Sequence, residues 1–356
     1  MKEKLEEKSK IIKTSKEYKR TIIEEKDREW TKKLNDILSR GDFSNEKLDK
    51  IKDLIPKEIL TSENVGEVVT EDGYAKPEYD EVFKSLFTLN NDYDLLANFI
   101  NDILKDAPYA NRNIKQFTQI KRIIKVETDP TINYIGEKRP RLDILAEDEE
   151  RNHINIEMQR AEYYLSRVHG RKLEEGKEYK EIGKTVGIHI LNHVKYNHIE
   201  DYVNCLRLTM DGHPDIYSSK TALYFIELPK IRKSSCIANR VLIWGKLIDN
   251  PSHIDIRILS KTDYVIKRAL DRLKELGSNE DYLLNLKRGA YIMNKSRNFK
   301  EEIFQEGIEK GIAKGKREEK FNIIIKLKNK GYNLSEICDI IDDLNKSEVE
   351  KVYNQN

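Results

Sequence analysis

Residues 141–159 constrain the fold more than any other stretch of this 356-residue chain. Leu142, Ile144, Leu145 and Ala146 form a short apolar run that Asp143 interrupts. Further on, Ile154, Ile156 and Met158 alternate with Asn155, Glu157 and Gln159. Such alternation sends successive side chains to opposite faces of a strand. The stretch from Glu147 to Asn152 between them is polar and has the length of a turn. An antiparallel hairpin centred on residue 150 puts Asp143 opposite Glu157. Cross-strand partners lie roughly 4.5–5.5 Å apart at Cβ, close enough for two carboxylates to share one divalent cation. Burying an unpaired carboxylate in an apolar run is costly, and Gln159 shares the strand face of Glu157, so three polar groups converge. The alternative is two solvated carboxylates on an exposed sheet face.

These residues resemble the Asp…Glu-x-Lys core of the PD-(D/E)xK nucleases, with Gln159 where most of that superfamily has lysine. Within it, the chain resembles the Rpn family of recombination-promoting nucleases, also described as transposases. Several landmarks in order carry the likeness: Asp80 to Phe87, Leu142-Asp143, Asn155 to Gln159, and Arg167 after Tyr163 and Tyr164. Gly176 with Tyr179, then Glu227-Leu228-Pro229-Lys230, continue the pattern. The likeness covers residues 78–250, with a weaker match from Glu306 onward.

The resemblance implies an α/β, restriction-endonuclease-like core: a mixed central sheet flanked by helices, here with helical N- and C-terminal extensions. It also implies a metal-dependent DNA endonuclease that hydrolyses phosphodiester bonds and is tied to DNA recombination or mobile-element activity. Asp143, Glu157 and the backbone carbonyl of Met158 would ligate Mg²⁺, with Mn²⁺ as an alternative, because hard cations prefer oxygen ligands. Asp80 resembles the helix acid that assists a second metal in many members; a helix N-terminal Asp is also a common cap. Gln159 can orient water through its amide, but it carries no charge and cannot titrate. Arg167 could supply the cation that lysine would have provided, or serve as a salt-bridge partner on a solvated helix.

Basic residues flank this region: Lys121, Arg122, Lys125, Lys138, Arg139, Arg141, Arg160, Arg171 and Lys172. They fit a phosphate-binding rim for DNA and fit ordinary solvated charge equally well. A net charge of +2 neither supports nor excludes a nucleic-acid partner. Two rival classes stand beside the nuclease. One is a catalytically inactive DNA-binding or assembly protein on the same fold; the other is an interaction scaffold built on the terminal helices.

The chain holds no run of about 18 apolar residues, so no membrane partner is expected. The N-terminus lacks the apolar segment of a signal peptide. Cys205, Cys236 and Cys338 are odd in number and widely spaced, which points to a reducing cytoplasm. His189 and His193 have helical spacing, with His198 nearby, but nothing completes a tetrahedral zinc set. A strand-like run makes His189 a packed residue or one supporting a site.

The chain organises into five stretches. Residues 1–62 read as a charged helical arm with a stop at Ser39–Gly41 and a second helix from Asn45 to Leu54. Residues 63–77 hold Gly66, Gly73 and Pro77 and read as a linker. The core spans 78–236: two helical pieces broken at Asn90-Asn91, a strand near 119–127, the hairpin and a helix over 162–179. Strands at 185–191, 202–209 and 222–228 complete it. Residues 237–295 read as a helical subdomain. The tail, 296–356, carries Gly307, Gly311 and Gly315 on one helical stripe, then two short helices shaped like a helix-turn-helix. The stripe suits either packing, including a homodimer through the C-terminal helices, or a simply flexible helix.

Overall fold

The computed structural model describes residues 2–39, 51–106, 119–128, 144–157, 183–218, 220–235, 237–341 and 344–354. The helices are α1 (Lys2–Ser39), α2 (Ser62–Val65), α3 (Asp80–Thr88), α4 (Asp94–Asp106), α5 (Leu228–Arg232) and α6 (Arg240–Asp249). They continue with α7 (Ile254–Leu259), α8 (Tyr264–Ser278), α9 (Glu280–Asn329), α10 (Leu334–Ile340) and α11 (Lys346–Asn354). The strands are β1 (Ile123–Thr128), β2 (Ile144–Asp148), β3 (His153–Glu157), β4 (Thr185–Leu191), β5 (Val203–Leu206), β6 (Thr209–Met210), β7 (His213–Tyr217) and β8 (Thr221–Glu227). The chain forms two compact units, residues 66–287 and residues 1–65 with 288–356. No helix among the described residues is long and apolar enough to cross a membrane.

The larger unit is a mixed six-stranded sheet in the order β1-β2-β3-β4-β8-β5, flanked by helices. β1, β2 and β3 meander antiparallel, β3, β4 and β8 run parallel, and β5 returns antiparallel to β8. This is the mixed α/β architecture expected of the core. One sheet face is apolar because alternation puts Ile144, Ala146, Ile154, Ile156, Val186, Ile188, Ile190, Tyr224 and Ile226 there, all buried in one core with residues of α3, α4, α6 and α8. Residues 241–286 contribute to that same core. Phe83, Phe87, Phe99 and Trp244 interlock at its centre, with Phe87–Phe99 and Phe99–Trp244 ring centroids 4.9 and 5.4 Å apart. Asp102 accepts hydrogen bonds from Trp244 Nε1 at 2.8 Å and Arg240 Nε at 2.9 Å, so the indole's polar edge is satisfied where its body is buried.

The break between α3 and α4 falls at Asn90 and Asn91, whose φ values of 57° and 54° lie in the left-handed region that asparagine tolerates. Residues 63–77, whose composition suggested a linker, carry buried contacts of their own. Val68 and Ala75 lie in the sheet's core, and the Ala75 N–H donates to the Leu273 carbonyl at 2.9 Å. The glycines that suggested a linker serve local turns, Gly66 and Gly73 having φ of 78° and 79°.

In the other unit, α1 runs unbroken to Ser39; the helix expected from Asn45 lies largely outside the described residues. Asp27 of α1 accepts from Tyr291 Oη at 2.8 Å and pairs with Lys295 at 2.7 Å on α9. Farther along α9, Ile324 packs with Ile337, Ile341, Val349 and Val352 of the terminal helices. A capping box, Asn333 with Glu336, starts α10.

Candidate active site

The hairpin that organises the site is set by its turn. Asp148 Oδ1 accepts from the Glu150 and Asn152 N–H groups at 3.0 and 2.8 Å, and Asp148 Oδ2 accepts from Asn152 Nδ2 at 2.8 Å. Arg151 takes φ of 58° to close the loop. The Asn152 Oδ1 in turn accepts from the Lys184 N–H at 2.9 Å, joining the turn to the strand entering β4. Gly183 passes so close that a Cβ there would lie 2.1 Å from the Arg151 carbonyl oxygen. The turn fixes the pairing Ile144↔Ile156, Leu145↔Asn155, Ala146↔Ile154 and Glu147↔His153, which is the register of a hairpin centred on residue 150.

Glu157 is the last residue of β3 and stands in register with His189 of β4, while Asn155 stands beside Gly187. The strand alternation puts Asn155 on the face opposite the apolar core. His189, Phe225 and Glu227 share that face, where Phe225 joins Leu191 and Leu223 in a second apolar cluster. Asn155 is buried, and its amide oxygen and nitrogen have no hydrogen-bond partner among the described residues. His189 is fully buried and stacks on Phe225 with ring centroids 5.5 Å apart. Its neighbour Gly187 leaves the room: a Cβ there would come within 2.6 Å of Leu223 Cδ2 and 2.8 Å of His189 Nε2.

The carboxyl end of β8 is pinned by a buried ion pair. Glu227 is fully buried and pairs with Lys230, one turn on in α5. Glu227 Oε1 also accepts from the Lys195 and Tyr196 N–H groups, the latter at 3.1 Å. Lys230 Nζ donates to the Tyr196 and Asp201 carbonyls at 3.0 and 3.2 Å. Together they hold the loop between β4 and β5 against the carboxyl ends of the parallel strands, where open α/β sheets place their ligand crevices. Deeper in the sheet, on its core face, burial pushes the Tyr224 phenol well above its ordinary range and raises the Cys205 thiol beside it. Arg207 Nη2 donates to the Tyr224 oxygen at 3.4 Å.

Of the residues the sequence singles out, Glu157 ends β3 and Asp80 opens α3 on the exposed surface. Asp143, Met158, Gln159 and Arg167 lie outside the described residues, as do Lys138, Arg139, Arg141, Arg160, Arg171 and Lys172. The helix expected over 162–179 lies there too. His193 and His198 are exposed on the β4–β5 loop, apart from the fully buried His189. Sequence reasoning passed over Asn155 as merely polar, although its place two residues before Glu157 marked the same face. It noted Glu227 and Lys230 only as landmarks; their spacing of three after an apolar strand signals a helix-start ion pair.

A family model described as PD-(D/E)XK nuclease family transposase matches residues 77–297. Comparison with curated proteins and with solved structures finds no match.

Proposed function

The chain belongs to the PD-(D/E)XK nuclease family transposases, and from that premise we propose that it is a metal-dependent endonuclease hydrolysing DNA phosphodiester bonds. The observation that carries the reading is the hairpin register. The pairing runs to Ile144↔Ile156, and in this reading the same alternation continues to Asp143, so that Asp143 and Glu157 would offer carboxylate oxygens to one cation. The surroundings of Glu157 fit that role. Asn155, a buried amide with no hydrogen-bond partner among the described residues, comes two residues earlier in β3, and such a group is costly unless another polar species meets it.

In this reading Asp143, Glu157 and the Met158 carbonyl hold Mg²⁺ or Mn²⁺, and Asp80 serves a second ion. When bound, such a cation would lower the pKa of a water and neutralise charge on the scissile phosphate. Gln159 orients the attacking water through its amide, and Arg167 supplies the positive charge that glutamine lacks. His189, level with Glu157 and locked by Phe225, is a positioning residue for the carboxylate. Lys138, Arg139, Arg141, Arg160, Arg171 and Lys172 contact DNA phosphates, which carry affinity and make it salt-dependent. The biological setting is DNA recombination or mobile-element activity in the cytoplasm. A homodimer would bring two such sites together, as a double-strand cut requires.

The test is cleavage of supercoiled plasmid with Mg²⁺, Mn²⁺, Ca²⁺ or EDTA, comparing wild type with Asp143→Ala and Glu157→Ala. Nicking or linearisation that needs metal and disappears in both variants supports the assignment. Wild-type protein that binds DNA yet cuts with no metal overturns it and leaves a DNA-binding protein on a nuclease fold.

A further inference from the structure

The loop between β4 and β5 brings a cation back over the sheet. Lys195 lies on that loop and is exposed. Its N–H and that of Tyr196 donate to Glu227 at the carboxyl end of β8, the latter at 3.1 Å. Lys230 ties the same loop down through the Tyr196 and Asp201 carbonyls, at 3.0 and 3.2 Å. From this pinned backbone the Lys195 side chain reaches an aromatic ring. Its Nζ stands 4.4 Å from the centroid of Phe225 and 5.7 Å from that of Tyr196. Phe225 is in turn fixed by packing: it is fully buried, stacked on His189 and edge-on to Tyr196, with the last two centroids 5.7 Å apart.

Strand register gives the height of that cation. Residue 157 is level with His189 in β4, and His189 is level with Phe225 in β8. Neighbouring strands lie about 4.8 Å apart, so Phe225 stands about 10 Å across the sheet from residue 157. The Lys195 ammonium, held over Phe225, is therefore two strands from Glu157 and close to the same level. The kind of contact matters as much as its place. An aromatic face attracts an ammonium through its quadrupole and carries no net charge, so it positions the cation, whereas a carboxylate would also neutralise it. A phosphate oxygen then gains a charge-assisted hydrogen bond from an ammonium already in place.

We propose that Lys195 binds a backbone phosphate of the DNA strand, beside the phosphate being cut, with Phe225 as its platform. The proposal rests on the nuclease reading, which puts the scissile phosphate at residue 157. A strand crossing the sheet from β3 toward β8 then carries a neighbouring phosphate over Lys195. The lysine keeps its proton throughout and acts by holding substrate. Its loop is anchored by the Glu227–Lys230 pair, so that buried pair sets where the phosphate contact falls.

Fluorescence anisotropy of a short labelled duplex, with Ca²⁺ in place of Mg²⁺ and over a series of salt concentrations, reads the contact directly. Lys195→Met should lower the slope of log affinity against log salt by about 1, as the loss of one phosphate contact does. Lys195→Arg keeps the charge and should keep the wild-type slope. In plasmid cleavage with Mg²⁺, Lys195→Met should raise KM several-fold more than it lowers kcat, with an unchanged circular dichroism spectrum. A wild type that cuts, beside a Lys195→Met protein of unchanged slope, would overturn the contact and leave the nuclease reading standing. A slope that falls equally in Lys195→Arg would show that the substitutions act through the loop, and would also overturn it. A wild type that cuts with no metal removes the nuclease reading itself, and the contact beside a scissile phosphate falls with it.

Discussion

Glu157 closes β3 level with His189 of β4, and the imidazole beside it is fully buried against Phe225. A carboxylate placed there gains from a cation, so folding and metal binding should be linked. Mg²⁺ added to EDTA-stripped protein should raise the melting temperature. A ligand at a hundred times its dissociation constant adds about 2.7 kcal/mol. Asp143→Ala and Glu157→Gln should abolish the shift in differential scanning fluorimetry.

Asn155 should trade stability for activity. Its buried amide has no partner among the described residues, and replacing it with leucine removes a desolvation cost of about 1–3 kcal/mol. Asn155→Leu should therefore unfold at higher urea while cleaving plasmid more slowly. Added stability with full activity would make the amide a bystander.

Gly187 should tolerate no methyl. A Cβ there would meet Leu223 Cδ2 at 2.6 Å and His189 Nε2 at 2.8 Å, and overpacking of this kind costs about 1–3 kcal/mol. Gly187→Ala should lower the urea midpoint, and adding Leu223→Ala should restore part of it. Cleavage should recover less than stability, because the imidazole remains crowded.

The Glu227–Lys230 pair should be costly to break from one side. Lys230→Met leaves a fully buried carboxylate without its counter-charge, and such losses run to about 3–5 kcal/mol. Adding Glu227→Gln removes the charge and should recover most of the loss in urea titrations. Limited proteolysis should show early cutting between residues 192 and 202 in the Lys230→Met protein alone.

Alkali should loosen the fold through Tyr224. Its folded pKa is raised by burial above the ordinary 10.0, so its contribution is complete below pH 10. As pH rises past that point the unfolded chain releases the phenolic proton while the folded chain retains it. Stability then falls by about 1.4 kcal/mol per pH unit for this group. Tyr224→Phe should flatten the decline between pH 10 and 11 in urea midpoints.

Much of this arrangement was legible in the residues themselves. The alternation of Ile154 and Ile156 with Asn155 and Glu157 fixed both the strand and its core-facing side, and the polar turn from Glu147 to Asn152 fixed the register. The parallel strands β4 and β8 read as near-continuous apolar runs, as strands covered on both faces do. What stayed hidden depends on contacts distant in sequence. Ala75 is held by Leu273 of α8, about two hundred residues away, so local composition spoke only of glycine and polarity. That Lys230 reaches the carbonyls of Tyr196 and Asp201 could not be inferred without the fold of the β4–β5 loop.

The outermost strand β1 has a consequence for how this molecule behaves in a crowd. Its pairing with β2 slips between Ile123 and Lys125, leaving Ile124 as an extra residue, and Lys125 pairs with Glu127 at 2.5 Å just beyond. A bulge followed by charges spoils the straight row of amides that an incoming strand needs. The strand at the far side, β5, offers only four residues. Sheet-to-sheet stacking is thereby discouraged at both margins, so a concentrated solution should resist fibril formation.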